Sequence, residues 1–317
     1  MSEYLVTGGC GFIGSHLCDS LLRQGHRVRV LDDLSTGHVT NLSNEAVLFK
    51  GDIRDIDAVS AAMAGCDGCF HLAAIASVER SIHAWVETHR INLTGTLQIF
   101  DVARRAGRCG AAVPVVYASS AAVYGDQGDQ AIRESVRPRP TSAYGADKLA
   151  CEHHARVATA VHGVPTIGLR FFNVYGPRQD PRSPYSGVIS IFSDRMASSR
   201  PIAIFGDGRQ TRDFVYVADV VRALMLAEQM ISDEPLVVNV CTGRRTSVQD
   251  LAEEIAGSLG CRPLIEHQPH RHGEIRHSLG DPTAARRRLG FEAATSLQDG
   301  LAATVRAFAG GDACAVK

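Results

Sequence analysis

Tyr4-Leu5-Val6-Thr7-Gly8-Gly9-Cys10-Gly11-Phe12-Ile13-Gly14 sets the architecture of this chain. The apolar run Tyr4 to Val6 reads as a short buried strand, and Ile13, Leu17 and Leu21 then recur at helical spacing until Gly25 stops the helix. Glycines at a strand-to-helix turn permit a tight reversal and let backbone N–H groups approach an anion, which the helix N-terminus favours. The string satisfies G-x-x-G-x-x-G from Gly8 and G-x-G-x-x-G from Gly9. Such a string alone is weak. Here a strand precedes it, a helix follows it, and Asp32 ends the next strand, Val28 to Leu31, where a carboxylate accepts hydrogen bonds from an adenosine ribose. Together these predict a dinucleotide site. Asp32 and Asp33, with no arginine directly following, would repel a 2′-phosphate, which favours NAD over NADP.

Outward from that motif, strand-like runs fall at Val47 to Phe49, Gly68 to Leu72, Val113 to Tyr117, Ile167 to Phe171 and Val237 to Val240, with helical patterns between most of them. Alternation of this kind implies parallel pairing with helices on both faces. The fold class is therefore α/β, a Rossmann-like doubly wound parallel sheet. Gly176-Pro177, Asp180-Pro181 and Ser183-Pro184 then break the pattern, and a short Ile202-Ala203-Ile204-Phe205 strand ends in a Gly206-Asp207-Gly208 turn. These segments predict a smaller α/β substrate-binding domain. The expected division gives residues 1–171 and 213–243 to the Rossmann domain, 172–212 and 244–309 to the smaller one, and 310–317 to a frayed tail. Thr246 with Gln249 suits a capping box, and Asp281-Pro282 puts a cap before a first-turn proline.

Composition narrows the function. With 317 residues, 45% hydrophobic and 21% charged, the chain buries a full core. A net charge of −1 and a pI near 6.9 leave no general attraction to nucleic acid or anionic lipid, so neither partner is expected. The N-terminus runs straight into a strand, and no apolar stretch approaches about eighteen residues, so a cytoplasmic protein without membrane contact is expected. Nine scattered cysteines fit reduced thiols. Cys66-Asp67-Gly68-Cys69 has redox or zinc spacing, yet no second Cys or His pair follows at a useful distance. His267, His270, His272 and His277 read as loop histidines beside prolines, and no metal is expected.

Tyr144 and Lys148, with Ser120 upstream, carry the chemistry. In a helix, positions i and i+4 share a face, which sets an ammonium beside a phenol. A phenol titrates near ~10, so making one a base at neutral pH requires about 4 kcal/mol. One ammonium about 5 Å away supplies roughly 3 kcal/mol of that at an effective dielectric of ~20, and a cationic nicotinamide would supply the rest. The pattern spells an alcohol oxidation.

The residues resemble the extended short-chain dehydrogenase/reductase family and, within it, the UDP-sugar 4-epimerases. Beyond the glycine loop the resemblance is carried, in the family's order, by Asp32-Asp33-Leu34-Ser35-Thr36-Gly37, Gly51-Asp52-Ile53, His71-Leu72-Ala73-Ala74, Asn92 before Gly95-Thr96, and Ser119-Ser120-Ala121-Ala122-Val123-Tyr124-Gly125. Tyr144-Gly145-Ala146-Asp147-Lys148 and Arg170-Phe171-Phe172-Asn173-Val174-Tyr175-Gly176-Pro177 complete it. It implies that NAD is held by Gly8, Gly11, Phe12, Ile13, Gly14, Asp32, Asp33, Leu34, Ser35, Thr36 and Gly37. Asp52 and Ile53 would take the adenine edge; Leu72, Ala73 and Ala74 would line the pyrophosphate path. Asn92, Ser119, Tyr144, Lys148 and Phe171 complete the set, with Lys148 also on the nicotinamide ribose.

The same resemblance assigns Ser120, Tyr144 and Lys148 to catalysis. Tyr144, helped by Ser120, would take the C4 hydroxyl proton of a UDP-sugar while hydride passes to NAD. The ketone carbon that results is planar, so turning the sugar and returning the hydride to its other face inverts C4. Related dehydratases carry an Asp-Glu pair, and related decarboxylases a glutamate, where this chain has Ala121 and Ala122. A methyl group cannot transfer a proton, so elimination is not expected.

On the substrate side the resemblance implies Ser77, Ser120, Tyr144, Asn173, Gln179, Val188, Ala203, Ile204, Phe205, Arg212, Arg271, Glu274 and Ser278, with both arginines on the diphosphate. Ser278 matches a position whose size limits the C2 substituent. Serine there leaves room for an N-acetyl group, which points to UDP-GlcNAc/UDP-GalNAc interconversion with UDP-Glc/UDP-Gal as a lesser activity. Ala76 stands where glucose/galactose members often carry a lysine near the cofactor. A homodimer is implied, paired through Ile91 to Ala103 and the Tyr144 helix. The rivals are a UDP-glucose/UDP-galactose-specific enzyme, a UDP-glucuronate 4-epimerase, a net dehydrogenase and a non-catalytic NAD-binding regulator.

Overall fold

Successive residues of the first strand point to opposite sides of a sheet: Tyr4 and Val6 enter one core and Leu5 another. The computed structural model describes residues 1–181, 187–270 and 275–311. In chain order, β1 (Glu3–Thr7) leads to α1 (Phe12–Arg23), β2 (Arg27–Asp32), β3 (Val47–Lys50), α2 (Ile56–Met63) and β4 (Gly68–His71). Then come the short helices α3 (Val78–His83) and α4 (Trp85–His89), a π-helical turn over Arg90–Thr94, and α5 (Gly95–Ala103). β5 (Val115–Ser120), α6 (Ala143–His162) and β6 (Thr166–Phe171) follow. Next are β7 (Asn173–Tyr175), α7 (Val188–Ala197), β8 (Ile202–Phe205), β9 (Thr211–Arg212), β10 (Phe214–Tyr216), α8 (Val217–Gln229) and β11 (Leu236–Val240). The chain ends with β12 (Thr246–Ser247), α9 (Val248–Leu259), β13 (Ile265–Gln268), α10 (Thr283–Leu289) and α11 (Leu297–Gly311).

Seven strands form one sheet in the order β11-β6-β5-β4-β1-β2-β3, with every pairing parallel. This is the doubly wound α/β arrangement expected from the alternating pattern. Leu17 and Leu21 of α1 with Val220 and Leu224 of α8 cover one face; Val59 and Met63 of α2, Ile99 of α5 and Ala155 of α6 cover the other. The order reverses beside β1, the place where open α/β sheets leave a crevice at their carboxyl ends.

A third core unites Ile189 and Phe192 of α7, Ile202 and Ile204 of β8, Leu251 and Ile255 of α9, and Leu301 of α11. Its strands pair in twos, β7 with β10, β9 with β12 and β8 with β13. The division drawn from sequence sends residues 281–291 to this lobe, but Ala285, Leu289 and Phe291 pack in the core beneath α1 and α8. β10, Phe214–Tyr216, pairs with Asn173–Tyr175 outside the large sheet, although Val215 packs in the core of that lobe.

Local signals shift by a residue where pairing competes. Thr246 does not cap α9; it pairs with Arg212, and Ser247 accepts the Asp250 N–H at 3.0 Å instead. Asp281 accepts the Thr283 N–H at 2.9 Å, ahead of α10. The tail expected from residue 310 begins inside α11, and residues 312–317 lie outside the described part. Among the described residues no helix is long and apolar enough to cross a membrane.

Candidate active site

Six strands end on one edge, and the predicted site residues collect there. Gly8 follows β1, Asp32 ends β2, Asp52 follows β3, Leu72 to Ala74 follow β4, Ser119 and Ser120 end β5, and Phe171 ends β6. Parallel register sets Ser120 beside Phe171 and Ser119 beside Arg170.

The turn after β1 has no room for side chains at its first two glycines. Gly8 has φ +70°, and a Cβ there would lie 2.8 Å from the Ala73 nitrogen; one on Gly9 would lie 2.6 Å from Val30. The N–H groups of Phe12 to Gly14 open α1 ahead of its first internal bond, Ser15 N–H to the Gly11 carbonyl at 3.1 Å. Asp32 is buried and accepts the Cys10 and Leu34 N–H groups, each at 2.9 Å. Burial pushes its carboxyl upward, and those two donors oppose the shift. Each oxygen retains a second lone pair for a further donor. Leu34 turns the chain with φ 61°, and Asp33 accepts both the N–H and the hydroxyl of Ser35. Thr36 and Gly37 complete the loop, where a Cβ on Gly37 would lie 2.9 Å from Cys10. A side-chain-free cradle at a helix start, facing a buried carboxylate, fits a dinucleotide diphosphate and its ribose.

A buried polar relay holds the next loop. Thr96 donates its hydroxyl to the Asn92 carbonyl at 2.6 Å, so the His71 Nε2–H donates to Thr96 at 2.9 Å. His71 Nδ1 then accepts from the Thr7 hydroxyl at 2.7 Å, whose oxygen takes the Leu72 and Ala73 N–H groups. The ring is neutral with its proton on Nε2. Burial, helped by the Lys148 charge, pushes its pKa down to about 3. The Asn92 amide bonds both the N–H and the carbonyl of Ile75, bracing the loop from behind. Ile53 packs under Gly95, and Arg54 beside Asp52 holds that carboxyl below the usual range.

Ser120, Tyr144 and Lys148 meet where β5 ends. Ser120 Oγ accepts the Ala122 N–H at 3.1 Å, capping a 3₁₀ turn over Ala121–Val123. Ser142 caps α6 by accepting the Gly145 N–H at 3.1 Å, and a Cβ on Gly145 would lie 2.5 Å from the Ala122 carbonyl oxygen. The tyrosine helix therefore begins directly on the serine turn. Lys148 is buried; its ammonium donates to the Ala118 carbonyl at 2.8 Å and lies 6.0 Å from the Tyr144 ring centre. Tyr144 is half-buried.

Apart from Ser77, which belongs to the larger lobe, the remaining predicted residues lie on the smaller one. Ser77 is buried and caps α3 through the Arg80 N–H at 3.0 Å. Asn173 is exposed on β7, Gln179 follows it, and Val188 opens α7. Ala203 and Phe205 share the half-buried face of β8, while the Ile204 side chain points into the core; at that position only backbone reaches the open face. Ser278 donates its N–H to the Thr211 carbonyl at 3.1 Å, next to Arg212, so the two segments run side by side. Arg271 and Glu274 lie outside the described residues. Of the histidine run, His277 bonds Thr211 and His267 bonds the Gly206 carbonyl, two separate roles, and His272 is also outside the described part.

A family model for NAD-dependent epimerases and dehydratases matches residues 4–241. The chain belongs to that family. NAD is accordingly its cofactor. A UDP-glucose 4-epimerase from Mycolicibacterium smegmatis is 38% identical over 311 residues, covering 96% of this chain and 97% of the relative. The Thermotoga maritima UDP-glucose 4-epimerase, solved with UDP-glucose, superposes with a TM-score of 0.92 at 36% identity, covering 98% of this chain and 99% of that one. A UDP-N-acetylglucosamine 4-epimerase from Methanobrevibacter ruminantium, solved with UDP-N-acetylmuramic acid, has a TM-score of 0.91 at 33% identity over the same shares.

For a member of this epimerase/dehydratase family, the supports behind the site are what sequence reading missed. Ser119 was assigned to the cofactor, but its side chain turns inward to donate to Glu152 at 2.5 Å. Glu152 takes two bonds from Arg170, at 2.8 and 2.6 Å, and Arg170 donates to the Tyr124 hydroxyl, which donates to Asn239. Glu152 stands at i+8 from Tyr144, a helical-face signal that points to it once the helix is known. Asp213, buried beside Arg212, accepts from Thr242, Gly243 and Gly280; the run Gln210 to Tyr216 resembles the family's segment at the domain junction, but its spacing gives no sign of this role.

Proposed function

We propose that the protein is an NAD-dependent UDP-sugar 4-epimerase that interconverts UDP-GlcNAc and UDP-GalNAc, with UDP-Glc/UDP-Gal as a lesser activity. The observation that carries the reaction type is the Ser120 to Val123 turn packed against the start of the tyrosine helix. The two positions after Ser120 are alanines, which carry no proton-transfer group, so Tyr144 and Ser120 are the proton-handling groups of this turn and helix. Tyr144 takes the C4 hydroxyl proton and later returns it. Ser120 orients the hydroxyl, and the buried Lys148 ammonium favours the phenolate. Gly8 to Gly14 and Asp32 hold NAD, which when bound supplies the hydride acceptor for C4 and the donor that reverses the oxidation. Arg212, with Arg271, anchors the diphosphate while the 4-keto sugar turns to present the other face of its planar C4.

The N-acetyl preference is supported by Ser278, half-buried beside the Arg212 segment, where a small residue leaves room at C2. The Mycolicibacterium relative's name favours the glucose/galactose pair as the second reading. Measuring kcat/KM on both pairs separates them. Higher values for the N-acetylated pair are expected, with Ser278→Tyr abolishing that preference; equal or better use of UDP-Glc by the unaltered enzyme refutes it. A homodimer is part of the proposal, supported by Val157 and Val161 on α6, which are 45% and 69% exposed, and sedimentation reads it directly.

A further inference from the structure

The chain leaving β7 crosses from the smaller lobe onto the first helix of the NAD lobe. The Pro177 carbonyl oxygen lies 2.9 Å from His16 Nε2, and Arg178 Nη2 lies 2.7 Å from Asp19 Oδ2. Beyond them Asp180 Oδ2 comes within 4.0 Å of His38 Nε2. His16 and Asp19 are three residues apart on one face of α1, the helix whose N-terminus opens on the glycine loop. His38 follows Gly37 and donates its N–H to the Cys10 carbonyl inside that loop, as does the Asn41 amide. Residues 176–181 thus hold both flanks of the dinucleotide cradle from the opposite lobe.

The backbone is strained where the hold is made. Arg178 has φ 66°, a conformation that disfavours any L side chain and that glycine would accept freely. An arginine at such a position carries a backbone cost, and here its side chain reaches Asp19. The Arg178–Asp19 pair is only partly open to solvent, with the side chains 33% and 31% exposed.

We propose that Arg178 and Asp19 form an inter-lobe clasp that retains bound NAD from one turnover to the next. Both are positioning residues. The inference rests on the family's cofactor and not on which sugar is turned over, so it stands or falls separately from the proposed substrate. A reaction that regenerates its oxidant in each cycle has no use for cofactor exchange, and a closure built from the substrate lobe suits that economy.

The clasp makes a prediction opposite in sign to simple electrostatics. Asp19 sits about 10 Å along α1 from the diphosphate end. Acting alone, its charge opposes a bound diphosphate, so neutralising it would slow NAD release. The clasp requires neutralisation to speed release.

The test uses full-length holoprotein carrying labelled NAD, chased with excess unlabelled NAD, with the release rate as readout. Asp19→Asn and Arg178→Gln are each expected to release NAD roughly three- to tenfold faster than the unaltered protein. The double variant should be no faster than the quicker single, because both remove one contact. Asp19→Asn releasing at the original rate or slower overturns the proposal, as does a double variant showing the product of the two single effects. Melting of the NAD-free variants separates a merely structural contact: a lower melting temperature with unchanged release also overturns it.

Discussion

A β-carbon on Gly145 would stand 2.5 Å from the Ala122 carbonyl oxygen, so the helix bearing Tyr144 and the turn bearing Ser120 meet backbone to backbone at this point. That contact sets the distance between the two proton-handling groups. Gly145→Ala is expected to push them apart, lowering kcat about a hundredfold while costing about 1–3 kcal/mol of stability. Steady-state kinetics beside urea unfolding reads both; an alanine variant with unaltered kcat removes the contact from the account.

Tyr144→Phe keeps the ring and its packing and loses only the hydroxyl. Turnover should fall by about 10²–10⁴-fold, with the amount of NAD that co-purifies unchanged. Absorbance of the cofactor released on denaturation measures the second quantity. Retained turnover would assign the proton to another group.

His71 makes stability depend on pH. In the unfolded chain its ring titrates near ~6.5, whereas burial in the fold holds it near about 3. Between those values only the unfolded chain takes up the proton, so this contribution is whole above pH ~6.5 and shrinks as pH falls, by at most about 1.4 kcal/mol per unit. Urea unfolding at a series of pH values should show this slope, and His71→Gln should flatten it.

Glu152→Gln leaves the buried Arg170 guanidinium without its counter-ion. A loss of about 3–5 kcal/mol is expected, and replacing both partners by apolar residues should cost less than the single change. A double-mutant cycle followed by denaturant unfolding tests this. A double variant whose loss equals the sum of the two single losses would mean that the pair is not a unit.

The parts legible in the sequence are those governed by local rules. The alternation of Tyr4, Leu5 and Val6 and the three-four spacing of Ile13, Leu17 and Leu21 translate directly into β1 and α1. Gly8 and Gly14 announce themselves because only glycine fits where backbone meets backbone. The Tyr144 and Lys148 spacing is likewise a property of one helix. Where local rules competed, the reading slipped: strand pairing moved the α9 cap from Thr246 to Ser247, and α10 packed on the larger lobe although it follows the smaller one in sequence.

The sequence by itself determined a doubly wound α/β chain, a dinucleotide turn and a Ser-Tyr-Lys set, because each arises from periodicity or spacing within one or two adjacent elements. Only the tertiary structure decided that His71 is a neutral relay, that the Ser119 hydroxyl bonds Glu152, that Ile204 turns into the core, and that Arg178 reaches Asp19 across the lobes. Those outcomes depend on partners far apart in the chain. Burial and opposing charge select such partners only after the sheet has brought them together.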